Sequence, residues 1–143
     1  MLNYSNIKLG KWDLCDLVDD RSTGDFVKLV DNIKKDVKEF EDNRQILKPD
    51  LNSSSFERLV HEIENILETL SRVNSFAQLK YAADTSSNEA AALVLETEKL
   101  SSQISNQILF FDLWFKKGLD KNNAQRLIDS ISAVYREYLK HKR

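Results

Sequence analysis

The chain has 143 residues, 41% of them apolar and 31% charged, with a net charge of −2. That length suits one domain with a real core, and the balance is too apolar for a disordered chain and too charged for a membrane protein. Without a basic excess to meet phosphates, a nucleic-acid partner is not expected. A bilayer is not expected either, because the longest apolar runs, 90–95 and 108–111, fall far short of the roughly 20 residues that span one.

Residues 1–22 read as an irregular lead. Trp12, Leu14, Leu17 and Val18 are its apolar anchors, and Asp13, Asp16, Asp19 and Asp20 keep it wet on one side. Its opening, MLNYSNIKLGKWDL, has no apolar core of the kind a secretory leader needs. The single cysteine, Cys15, suits a reducing compartment, so a cytoplasmic location is expected.

A first helix should start at Thr23 or Asp25, both good N-caps. Phe26, Leu29, Val30, Ile33, Val37 and Phe40 then recur at helical spacing. The pattern lapses between Asn43 and Asn52, around Pro49, which reads as a loop. Ser54 with Glu57 has capping-box spacing and should open a long second helix. Phe56, Leu59, Val60, Ile63, Ile66, Leu67, Leu70, Val73, Phe76 and Ala77 form its apolar face, which persists to about Ala82.

After a break at 84–88, Ser86 with Glu89 repeats the capping-box spacing and predicts a third helix from about Ser87 to Lys117. Ala90, Ala91, Val94, Leu95, Leu100, Ile104, Ile108, Leu109, Phe111 and Phe115 are its apolar members, and Gly118 its C-terminal stop. Asp120 or Asn122 should cap a fourth helix carrying Leu127, Ile128, Ile131, Val134, Tyr135, Tyr138 and Leu139 on one face. Lys140, Lys142 and Arg143 would fill its last turn, where cations suit the helix dipole. No segment alternates with a period of two, and no repeat is visible. The expected fold is all-α: an up-and-down bundle of about four helices, two of them long, in one domain.

Sites are scarce. His61-Glu62-Ile63-Glu64-Asn65 starts like the H-E-x-x-H helix of zinc peptidases, in which histidines four apart share one metal, but its fifth position is Asn65. The other histidine, His141, is near the C-terminus, so His61 reads as a surface or boundary residue beside Leu59 and Val60. Asp13 and Asp16 flank Cys15 and would raise its pKa, against a nucleophile's needs. The glycines stand apart at 10, 24 and 118, so there is no phosphate loop. Glu39/Glu41 and Glu62/Glu64 read as solvated surface rather than an acid/base pair.

Phe110, Phe111, Trp114 and Phe115 are more unusual. Four rings in six residues cover much of a helix circumference at about 100° per residue. Such a stretch is either packed on several sides or turns a ring toward a partner, and both readings stay open.

In order along the chain, four segments resemble those of oligoendopeptidase F-type zinc peptidases. Trp12-Asp13-Leu14-Cys15-Asp16-Leu17 is similar to a W-D-L-S-D-L lead, with Cys15 in place of a small hydroxyl residue. Tyr81-Ala82-Ala83-Asp84-Thr85 resembles a Y-A-x…D-T stretch, and 108–117 an L-F-F-x-L-x-x-K helix end. Tyr135-Arg136-Glu137-Tyr138-Leu139 resembles the helix that leads into the catalytic domain.

This resemblance implies the N-terminal helical lobe of such an enzyme, walling the substrate channel and limiting substrate size. The chain's partners would then be the missing catalytic domain and, in the intact enzyme, short peptides. Zinc and all catalytic residues would belong to that missing part, so no catalytic, cofactor or metal residue is assigned here. The alternative is a free-standing helical interaction module that binds a helix or itself through the 110–115 aromatics or the long second helix. A small enzyme in its own right is disfavoured by the lack of a nucleophile–base pair.

Overall fold

A computed structural model describes residues 23–142. The lead with Trp12, Asp13 and Cys15 lies outside the described residues. So do the side chains of Thr23, Val134, Tyr138 and 140–142 and all of Arg143, and with them the expected basic last turn.

The described residues form helices joined by short loops, with no strand among them. Helix α1 (Thr23–Asp42) leads through a 3₁₀ turn (Asn43–Ile46) to α2 (Ser53–Ala83), which α3 (Asn88–Leu113) follows. A π turn (Trp114–Gly118) ends α3, and two short helices, α4 (Lys121–Ser130) and α5 (Ala133–Lys142), close the chain. The all-α bundle expected from the spacing is present, with five helices rather than about four.

The N-termini of three helices are fixed by side-chain caps. Asn52 Oδ1 accepts from the Ser55 N–H at 2.8 Å, so α2 opens one residue before the predicted Ser54 cap. An amide two residues upstream already satisfies the free donor, and Ser54 lies inside the first turn. Ser87 Oγ accepts from the Ala90 N–H at 3.1 Å and caps α3, one residue beyond Ser86. Asp120 caps α4, accepting from the Asn123 N–H at 2.8 Å.

Helices α1, α2 and α3 pack mutually, and α4 lies against α2. Ile33, Val37 and Phe40 of α1 meet Phe56, Leu59, Ile66 and Val73 of α2 and Ile104 of α3 in one continuous core. Asn74 Nδ2 donates to Ser101 Oγ at 2.8 Å, a polar tie across the α2–α3 hairpin. Thr97 is buried although polar, because its hydroxyl donates to the Val94 carbonyl at 2.9 Å. Three residues expected in the core are exposed: Leu67, Leu95 and Leu109. A helical stripe gives the direction of the buried face but not its width.

The expected fourth helix is interrupted. Backbone at Ile131 is extended (φ −92°, ψ 159°), and α5 restarts at Ala133. Arg136 Nη2 reaches back to the carbonyls of Asp129 at 3.1 Å and Ile131 at 3.3 Å, serving acceptors that the break leaves open. Leu127, Ile128, Ile131 and Leu139 are nonetheless all buried, so the break redirects the apolar face toward α2 without losing it. No described helix is long and apolar enough to cross a membrane.

Candidate functional site

The aromatic group at the end of α3 divides between interior and flank. Phe111 and Phe115 are buried, and both lie nearly parallel to Phe56 of α2, with ring centroids 6.1 and 5.7 Å away. Phe110 turns to α1, 5.3 Å from Phe40, and the Arg44 guanidinium covers its face at 4.1 Å. Trp114 is half-buried against Phe111 and Phe56. Phe56, Phe40 and Arg44 thus cover the rings between them. The exposed apolar side chains of this stretch are Leu109 and Leu113.

The Tyr81–Thr85 segment does a different job at the other end of the hairpin. The Asp84 carboxylate accepts from the Ser86 N–H at 3.0 Å and the Ser86 hydroxyl at 2.6 Å, closing the α2–α3 turn. Those bonds, the hydroxyl's first, hold its pKa below the usual aspartate value. Tyr81 is exposed and contributes its carbonyl to the same turn, accepting from the Asp84 N–H at 3.2 Å. Along α3, Asn88 at this turn and Phe110 at the start of the aromatic group lie about 33 Å apart at 1.5 Å per residue. Tyr81 and Asp84 therefore share no site with Phe110, Phe111, Trp114 and Phe115.

What the structure does assemble is a cleft of about 510 Å³ between α2, the end of α3 and α5. Val60, Ile63, Phe111, Phe115 and Leu139 supply its apolar wall. Leu67, Glu64, Glu68, Asp112 and Tyr135 complete it. Leu67 is shared with a second hollow of about 570 Å³ that follows α2 past Leu70 and Asn74 to Leu79. Together the two hollows run along α2 from Val60 to Leu79, about 28 Å at the helical rise.

One wall of the cleft is held by a polar triad. The Tyr135 hydroxyl donates to Glu64 Oε2 and lies 3.1 Å from His61 Nδ1. His61 stands edge-on to the Tyr135 ring, centroids 5.0 Å apart, and its Nδ1 is 3.5 Å from the Glu64 carboxylate. Its bond to Glu64 raises the Tyr135 pKa above the usual phenol value, and burial and the charges of Glu64 and Glu57 push the same way. His61 is exposed, as its place beside the Leu59/Val60 stripe suggests, and it packs on Tyr135. The described residues contain no group of three His, Cys, Asp or Glu side chains placed to hold a metal.

Nothing in the residue spacing marks this cleft. Glu64 reads as solvated surface, and Tyr135 falls on the same predicted helix as Leu127. Only the turn at Ile131–Ser132 brings α5 alongside α2. In comparisons with family models, curated proteins and solved structures, nothing matches the chain.

Proposed function

We propose that this chain is a helical docking lobe that receives another polypeptide along the α2 groove. The observation that carries the reading is the groove's form: an apolar cleft with a few polar groups at its edge, joined at Leu67 to a more polar hollow that continues along α2. A compact small molecule would fill one hollow, whereas an extended or helical segment fills both. Leu67, exposed where the two meet, is the natural anchor point. A photo-crosslinking residue at position 67 should give an adduct with one identifiable polypeptide, and the same residue at exposed position 95 should not. Equal adducts at the two positions, or none at 67, would overturn the reading.

The four ordered segments favour a particular docking partner: the catalytic part of an oligoendopeptidase F-type zinc peptidase, with this chain limiting the size of peptides that enter. The support is the resemblance of 12–17, 81–85, 108–117 and 135–139 to that family, and it rests on those short stretches alone. A cytoplasmic location goes with this reading, supported by the single cysteine. In that enzyme a zinc-activated water would attack the peptide carbonyl, with every metal ligand supplied by the catalytic part. Zinc analysis and a fluorogenic peptide assay test it. The reading predicts that this chain alone neither retains zinc nor turns over peptide. Stoichiometric zinc with turnover would contradict it.

A further inference from the structure

Resting on the docking reading, we infer that the occupant of the α2 groove is an amphipathic helix bearing Lys or Arg beside its apolar stripe. The charged side chains lining the two hollows are Glu64, Glu68 and Asp112, all acidic and all in the half of the groove nearer Val60. The other half is lined by uncharged groups, among them Ser71, Asn74 and Gln78. Glu64 and Glu68 are one helical turn apart, and Val60, Ile63 and Leu67 run beside them. The groove therefore presents an apolar stripe and an acidic stripe in parallel. A helix matches this with anchors at i, i+3 or i+4 and i+7 and cations one step round its circumference.

The charge pattern also sets a direction. Cations should cluster in the half of the partner helix that lies over Glu64 and Glu68, leaving the half over Asn74 and Gln78 neutral. Acidic rims of this kind discriminate between partners through like-charge repulsion and raise the association rate more than the affinity.

The test uses two synthetic helices of about 18 residues, matched to the groove length. They share one leucine stripe, flanked by lysine in one and by glutamate in the other. Amide NMR shifts of the full chain report where each peptide sits, and fluorescence anisotropy reports affinity. The lysine peptide should shift residues 60–68 and bind at least about ten-fold tighter than the glutamate peptide. Glu68→Gln should weaken it by about two- to five-fold, the range for one exposed pair. Raising NaCl from about 50 to about 500 mM should weaken it further. Equal groove shifts and equal affinities for the two peptides would overturn the charge inference and leave the docking reading standing. Shifts elsewhere, with none at 60–68 for either peptide, would overturn both.

Discussion

A β-carbon placed on Gly118 would lie 2.9 Å from Cδ1 of Trp114, so the absence of a side chain at 118 is what lets the indole lie across the π turn. No described glycine has a positive φ, so Gly118 is not the left-handed helix stop that its position suggests. Its role is room. Gly118→Ala should push the indole off Phe56 and Phe111 and cost about 1 kcal/mol, the low end of the range for overpacking because position 118 itself is exposed. Urea unfolding measures the loss, and in a Trp12→Phe background the emission of Trp114 should move to longer wavelength. An unchanged midpoint would show that the indole yields freely.

The division of the aromatic group predicts a sharp contrast between neighbours. Phe115 is 1% exposed and Leu113 is 46% exposed. Phe115→Ala should cost about 3–5 kcal/mol, and Leu113→Ala should fall within about 0.5 kcal/mol of the parent. Comparable losses in denaturant titrations would mean that the apolar surface at 113 is covered in solution.

Asn52 is the working cap of α2. Asn52→Ala should cost about 1 kcal/mol, while Ser54→Ala should stay within about 0.5 kcal/mol. Thermal unfolding of the two variants checks this. A larger loss from Ser54→Ala would restore the cap first read from the sequence.

The two shifted groups act at opposite ends of the pH scale. The Asp84 pKa is lowered on folding, so its contribution is present above the ordinary aspartate pKa and fades as pH falls through the folded value. Amides near the α2–α3 turn should lose exchange protection below about pH 4, and Asp84→Asn should remove that dependence. The Tyr135 pKa is raised, so its bond to Glu64 stabilises below about pH 10 and is lost as pH climbs through the folded value. Alkaline unfolding should begin at α5, and Tyr135→Phe should flatten it.

How much of this was legible in the sequence depends on what each feature rests on. Helices α1 to α3 are legible because Ile33, Val37 and Phe40, or Leu59, Ile63 and Ile66, repeat at helical spacing without breakers. The division of α4 from α5 is not, since Leu127, Ile128, Ile131 and Tyr135 keep that spacing through the break and neither Gly nor Pro marks it. What sustains the turn is the Arg136 side chain on the carbonyls of Asp129 and Ile131, a contact with no sequence signature. The groove inherits that opacity, because α5 must turn before Tyr135 can meet Glu64. The aromatic group was visible, but whether Phe40 and Phe56 would cover it was not.

A helix seated in the α2 groove should shield position 67 from a thiol reagent. In a Cys15→Ser background, cysteine is placed at 67 in one variant and at 95 in another, and alkylation rates are measured with and without saturating lysine-flanked peptide. Leu67→Cys should react at least about ten-fold more slowly when the peptide is bound, the occlusion expected of an anchor beneath a docked helix, while Leu95→Cys is unchanged. Equal rates at position 67 with and without the peptide would contradict a helix seated there.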